Sequence, residues 1–161
     1  MEQFVSSYTN RVDAKGRVSV PASFRAILTR DGFDGIFCYP SLDSKALDVG
    51  GASLIDEIHG LLEGLDPYSD ERDELSLALF GESEILKIDQ DGRVVLPLAL
   101  REHAEISDRA VFVGVGHKFQ IWSPPRFEER RTSARRRVVE LKKLLRKASG
   151  GQAEALGSAG K

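Results

Sequence analysis

A repeated motif is the feature of this sequence that most constrains its fold. Segment 13–21, DAKGRVSVP, recurs 76 positions later as segment 89–97, DQDGRVVLP, and an arginine follows each proline after four positions, at Arg25 and Arg101. Because Asp, Gly, Arg, Val and Pro recur with the same spacing, we interpret the chain as two tandem copies of one structural unit.

Each copy of the motif predicts a tight hairpin turn. A strand-like run precedes the aspartate and apolar or β-branched residues follow the glycine, so each glycine is expected at a turn position with positive φ. The aspartate lies four positions before the arginine, where its carboxylate can cap turn amides or pair with the guanidinium. The motif residues with this structural role are Asp13 and Gly16 in the first copy, and Asp89 and Gly92 in the second.

The remainder of each unit predicts a short helix and a second hairpin. Pro21 and Pro97 suit the first position of a helix. Four short strands cannot bury both faces of their own sheet, so we expect an α+β, β-rich fold in which the two units combine in one closed pseudo-twofold β-barrel. The predicted helices are 21–29 and 97–104, and the predicted hairpins pair 36–39 with 46–49 and 110–115 with 118–122.

The two motif copies closely resemble the MraZ family, whose halves are each similar to a SpoVT/AbrB-type swapped-hairpin unit. Segments 101–104, REHA, and 118–122, KFQIW, add to the resemblance, which spans roughly residues 1–125. The resemblance implies a bacterial transcriptional regulator that binds short direct repeats upstream of its own division and cell-wall operon. It also implies ring-like homo-oligomers and association with the nucleoid.

The segments outside the repeats differ strongly in charge. Segment 51–80 has eight acidic residues and one basic residue, and its apolar spacing predicts a helical hairpin formed by 52–65 and 70–80, with Ser69 as an N-cap. Segment 126–147 has ten basic and three acidic residues and predicts a long helix. This basic helix would either contact DNA phosphates or lie against the acidic hairpin of its own or a neighbouring subunit.

These patterns divide the chain into five parts. Ten of the last 14 residues are Gly, Ala or Ser, a composition that predicts a disordered tail. The expected parts are a first SpoVT/AbrB-like unit (1–50), an acidic helical connector (51–80), a second unit (81–125), a basic helix (126–147) and a disordered tail (148–161).

Nothing in the sequence predicts catalysis or a bound cofactor. His59, His103 and His117 have no recognisable partners in a nucleophile motif, and Cys38 is the only cysteine, which excludes an intramolecular disulfide and a thiolate zinc site. We therefore expect no enzyme activity, metal, cofactor or small-molecule substrate. No run of 18 apolar residues or signal segment occurs, so no membrane association is expected and the chain should be cytoplasmic.

Basic residues in and around the two turns are the candidate DNA-binding residues. A two-stranded ribbon fits the major groove, where arginine bonds guanine and lysine meets phosphate. Arg17 and Arg93 could instead be structural partners of the motif aspartates, and both roles are compatible. The first turn has Lys15 where the second has Asp91, so the first copy is expected to dominate. The candidates are Arg11, Lys15, Arg17, Arg25 and Arg93.

Two functions remain open from the sequence. The first is a sequence-specific DNA-binding regulator whose subunits combine weak contacts by avidity on double-stranded DNA with short direct repeats. The second is a structural ring-forming assembly protein that has protein partners only. Salt-sensitive, repeat-dependent DNA binding would distinguish them.

Overall fold

The computed structural model describes the backbone of residues 2–159 and the side chains of residues 2–150. The chain forms two compact units that divide after Pro124. Within the described residues, the first unit contains eight strands and four helices, and the second unit is formed by one long helix. The strands are β1 (Ser7–Arg11), β2 (Arg17–Ser19), β3 (Ile36–Pro40), β4 (Ala46–Gly50), β5 (Glu84–Leu86), β6 (Arg93–Val95), β7 (Arg109–Gly114) and β8 (Phe119–Trp122); the helices are α1 (Ala22–Arg30), α2 (Ala52–Glu63), α3 (Asp70–Ser76), α4 (Leu98–His103) and α5 (Pro124–Ala159).

The strands of the two repeats are interleaved in one antiparallel sheet with the order β1-β7-β8-β4-β3-β5. The first strand of each repeat pairs with the third strand of the other repeat, as β1 with β7 and β5 with β3. The second strands, β2 and β6, pair with each other in a separate two-stranded sheet, which we call the central ribbon. This arrangement is α+β with a mostly antiparallel sheet, as the repeat predicts.

The predicted closed barrel is not observed in the described residues. The six-stranded sheet is open and ends at β1 and β5, because the chain leaves each edge strand through the motif turn and then pairs across the repeats in the central ribbon. The end of β1 is linked to β2 by an isolated bridge between Val12 and Val18 and by a hydrogen bond from the Asn10 side chain to the Ser19 carbonyl at 2.7 Å. The ribbon thus lies beyond the sheet edges and does not close them into a hydrogen-bonded circuit.

The main hydrophobic core takes residues from both repeats. Phe24 of α1 packs against Phe119 of β8, with ring centroids 4.8 Å apart. Val18 and Val94, on facing positions of the central ribbon, are almost completely buried in the same cluster. Neither repeat therefore has a separate core, and burial of these side chains fixes the ribbon against the body of the unit.

The predicted helices are present with shifted ends. α1 and α4 begin one residue after Pro21 and Pro97, and each proline lies at the cap position instead of the first helical turn. Ser69 caps α3 as predicted, because its hydroxyl accepts a hydrogen bond from the Arg72 amide. The second central helix ends earlier than predicted, at Ser76, and continues as a single π-helical turn, Leu77–Gly81.

The acidic hairpin packs on the sheet through a second hydrophobic cluster. Leu54, Ile58 and Leu62 recur along one face of α2 and are buried against aromatic residues of β3.

Helix α5 begins two residues before the predicted start and continues beyond residue 147, into the segment whose composition predicts disorder. The side chains of 151–161 lie outside the described residues, so the predicted division at residue 148 stays a prediction.

Candidate nucleic-acid interface

The first motif turn is a hydrogen-bonded cage around Asp13. One carboxylate oxygen accepts the backbone amides of Lys15 and Arg17, each at 2.9 Å. The other oxygen accepts Arg17 Nε at 2.7 Å. Gly16 has a φ of +87°, a conformation that L side chains rarely adopt, so the turn requires glycine here. The predicted contact between Asp13 and Arg17 is therefore observed, and the aspartate orders both the turn and the guanidinium.

The second turn repeats this geometry around Asp89. Its carboxylate accepts the amides of Asp91 and Arg93, each at 2.9 Å, and Arg93 Nε at 3.3 Å. Arg93 also donates from Nη2 to Asp91 at 3.2 Å, a contact that lysine at the equivalent position of the first turn does not offer. Among the described residues, the terminal nitrogens of Arg17 have no protein acceptor. Of the two turn arginines, Arg17 and Arg93, Arg17 is thus the one with both terminal nitrogens available to a ligand.

Hydrogen bonds in the turns favour the charged form of both motif aspartates. The backbone amide of Arg17, followed by its side chain, lowers the pKa of Asp13 below its ordinary value. The backbone amide of Arg93 is the largest cause of the lowered pKa of Asp89. Both carboxylates are therefore ionised near neutral pH and hold the arginines as ion pairs.

The central ribbon presents the motif arginines on its outer face. Side chains alternate along a strand, and burial of Val18 and Val94 leaves their neighbours on the opposite side. In the ribbon register, Arg17 is opposite Val95 and Arg93 is opposite Ser19. The two arginines therefore lie at opposite ends of one exposed, two-stranded surface.

The distal arginines of the motif hold the turns of the opposite repeat. A Cβ on Gly92 would lie 2.7 Å from the Arg25 guanidinium carbon, and a Cβ on Gly16 would lie 3.0 Å from Arg101 Nε. Each guanidinium also donates from Nε to a main-chain carbonyl, Arg25 to Val20 at 3.1 Å. Arg25, predicted to bind DNA, is thus half-buried between the repeats and positions the second turn. Its contact with DNA stays a prediction.

Two further candidates are exposed. Lys15 lies at the tip of the first turn, and Arg11 lies at the end of β1. The structure also brings Arg109 of β7 directly opposite Arg11. Sequence reasoning missed Arg109 because it lies outside the repeated motif and only the strand register places it there. The cleft beside the ribbon is lined by Arg11, Asp13, Arg17, Arg93, Asp108 and Arg109, with Val12, Val18 and Ser19 between them.

The described residues include potential metal ligands and a single thiol that lie outside the central ribbon. In residues 2–150, no three His, Cys, Asp or Glu side chains come together as potential metal ligands. Burial, with a smaller contribution from Glu84, raises the pKa of the Cys38 thiol to about 12, so this thiol is protonated at neutral pH. No helix within the described residues has both the length and the apolar character needed to span a membrane.

Comparison with known proteins identifies the family of this architecture. Residues 79–137 match the family described as "MraZ protein, putative antitoxin-like". A protein of Methylocella silvestris named transcriptional regulator MraZ is 57% identical over 90% of this chain and 88% of its own length. A protein of the same name from Azorhizobium caulinodans is 50% identical over 98% of this chain and all of its own length. A third, from Rickettsia canadensis, is 44% identical over 92% of this chain and its full length. The chain therefore belongs to the MraZ family of transcriptional regulators.

Proposed function

We propose that this chain regulates transcription by sequence-specific binding of double-stranded DNA through the central ribbon. The observation that carries the proposal is the state of Arg17. It is half-buried on the outer face of the ribbon with 40% of its side chain exposed, is held through Nε by Asp13, and has no protein acceptor for its terminal nitrogens among the described residues. A fixed guanidinium with two free donors matches the paired O6 and N7 acceptors of guanine in the major groove.

The family supports a more specific proposal for target and assembly. The target is a set of short direct repeats upstream of the chain's own gene, in the division and cell-wall operon. A ring-like homo-oligomer binds these repeats in the cytoplasm, in association with the nucleoid. Several subunits on one DNA segment add their contacts, so a modest affinity per ribbon is sufficient for tight binding.

The strand pairing supports the proposal that the two tandem units are swapped hairpins of the SpoVT/AbrB type. Each unit places its first strand beside the other unit's third strand, and each turn accepts an amide from the opposite unit. Val20 donates to the Gly92 carbonyl and Leu96 to the Gly16 carbonyl, both at 2.9 Å. One unit alone would therefore leave its turn incomplete.

A binding titration tests the DNA proposal. The full chain is titrated with a duplex that carries short direct repeats and with a scrambled duplex of equal length, at two salt concentrations. We expect saturable, repeat-dependent binding that weakens as salt increases, because phosphate contacts release counterions. Equal affinity for both duplexes would contradict sequence specificity.

The Arg17→Ala variant tests the residue on which the proposal depends. Loss of a bidentate base contact costs about 1–3 kcal/mol per subunit engaged, so repeat-specific binding should be abolished while the oligomer stays folded. Lys45→Ala is the matched control, since Lys45 is an exposed cation in the loop between β3 and β4 and outside the ribbon. Unchanged repeat-specific affinity of Arg17→Ala would refute the assignment.

A structural ring-forming protein with protein partners only is the alternative, and α5 favours it. This helix exposes both the basic residues of segment 126–147 and several large apolar side chains, a combination suited to an acidic protein surface. DNA binding that is absent at low salt, together with an intact oligomer in light scattering, would support this alternative. A 17.7 kDa monomer at micromolar concentration would exclude both ring proposals. The exposed apolar residues are Val138, Val139, Leu141, Leu144 and Leu145.

A further inference from the structure

Two arginines face each other across neighbouring strands without a carboxylate between them. Arg11 ends β1 and is the register partner of Arg109, the first residue of β7. Both side chains are exposed. Within the described residues, neither side chain makes a hydrogen bond or an ion pair with protein. The pair therefore has a charge of +2 that the folded chain does not neutralise by direct contact.

This placement is unfavourable for the free protein. Like charges on residues that lie directly opposite each other on antiparallel strands are destabilising. The two carboxylates that line the same cleft form no ion pair with either arginine among the described residues. Asp13 holds Arg17, and the Asp108 side chain accepts the Ser107 hydroxyl at 3.3 Å. A bound anion would relieve the repulsion, because guanidinium groups bond phosphate oxygens bidentately.

We propose that Arg11 and Arg109 together bind one backbone phosphate of DNA, beside the base contacts of Arg17. The inference rests on the proposed DNA-binding function and names an interaction that the repeated motif does not contain. The two arginines line the same cleft as Arg17 and Arg93, which contains four arginines against two aspartates. A DNA strand that enters this cleft meets a phosphate-binding site formed by one arginine from each repeat. This contact fixes the register of the ribbon on the duplex.

The pseudo-equivalent place on the other half of the molecule lacks this pair. Residue 87, 76 positions after Arg11, is an exposed lysine that follows β5. The residue opposite it is Gly35, directly before β3, where an added Cβ would lie 3.5 Å from the Lys87 Cα. One lysine thus stands where the first half has two arginines. The proposed phosphate site therefore belongs to one half of the molecule alone.

The Arg109→Ala variant tests this proposal, with Lys87→Ala as the matched control. Both variants remove one exposed cation, and only the first removes a member of the pair. For Arg109→Ala we expect about tenfold weaker binding of repeat-bearing and scrambled duplexes alike, for each protomer bound to the duplex. The slope of log affinity against log salt should decrease by about 0.9 for each phosphate that the variant no longer neutralises. Lys87→Ala should change affinity and slope much less.

Thermal unfolding separates binding from folding in the same variant. Removal of one arginine relieves like-charge repulsion, so Arg109→Ala should leave the Tm unchanged or increase it by about 1–3 °C. A decrease in Tm that matches the decrease in affinity would assign Arg109 a structural role and overturn the proposal. The expected combination is weaker DNA binding with a Tm that is equal to or above that of the wild type.

Two further outcomes distinguish the possible failures. If the wild-type chain binds neither duplex, the proposed function fails and the phosphate site fails with it. If the wild type binds and Arg109→Ala equals Lys87→Ala, only the phosphate site is refuted. Inorganic phosphate at constant ionic strength tests a free anion as the ligand. Phosphate that raises the Tm of wild type but not of Arg109→Ala, with DNA affinity unchanged in the variant, would also overturn the proposal.

Discussion

Removal of one partner of the buried ion pair between Asp48 and Lys118 should strongly destabilise the sheet. Asp48 lies on β4 with 5% of its surface exposed, and Lys118 Nζ is 2.9 Å from its Oδ2. Gln120 donates to the other carboxylate oxygen at 2.8 Å, and the Trp122 indole donates to Gln120 at 3.0 Å. The Gln120 bond joins β4 to β8, the two strands at the centre of the sheet, and Lys118 lies directly before β8.

The Lys118→Met variant leaves the Asp48 carboxylate buried without its cation. Removal of one partner of a buried pair costs about 3–5 kcal/mol. Because 20% of the Lys118 side chain is exposed and water reaches the pair, we expect the lower end, about 3 kcal/mol. For a unit of this size, that loss corresponds to a Tm decrease of about 10 °C.

A double-mutant cycle checks the physical reason for this loss. Urea unfolding would be measured for wild type, Lys118→Met, Asp48→Asn and the double variant. In the Asp48→Asn background the loss of Lys118 leaves no carboxylate buried without a cation, so Lys118→Met should cost less than about 1 kcal/mol. Equal costs in both backgrounds, or a loss below about 1 kcal/mol in wild type, would show that the pair behaves like an exposed one and refute the reasoning.

Three other predictions concern the turns and the acidic hairpin. Lys15→Ala should weaken binding of all DNA sequences and reduce its salt dependence, whereas Asp91→Lys should tighten nonspecific binding. If both variants bind DNA with the affinity of wild type in filter-binding assays, the proposed asymmetry of the turns is contradicted. Gly60→Ala should increase stability in urea unfolding by about 0.5–1 kcal/mol, because Gly60 lies within α2 and nothing is within 4 Å of an added Cβ. Asp13 and Asp89 have lower pKa values in the folded state than in the unfolded chain, so they stabilise the fold at pH values above the ordinary aspartate pKa of about 3.9. This contribution is lost as the pH falls through their folded-state pKa values. Urea midpoints between pH 5 and pH 2 should therefore fall less steeply in Asp13→Asn than in wild type.

Local structure was predictable because its causes lie within a few residues. Positive φ at Gly16 and Gly92, and the contact of Asp13 with Arg17, follow from the spacing inside one motif. The Ser69 cap likewise depends on a side chain and an amide three residues later. Membership of the MraZ family, predicted from two copies of the motif at a fixed separation, is confirmed by relatives that cover nearly the whole chain.

Long-range pairing was beyond the reach of local patterns. The repeat predicts that the two units combine, but it does not predict which strands pair or whether the sheet closes. The structure has an open sheet with a separate ribbon in place of the predicted barrel.

The sequence by itself determined the turns, the short helices and the basic character of the first motif, since these depend on neighbouring residues. Only the tertiary structure decided that Arg25 packs against Gly92 and that Arg109 lies opposite Arg11. These interactions join residues about 70 to 100 positions apart, and their free energy comes from shared burial and strand register across both repeats. No periodicity within either repeat encodes that register.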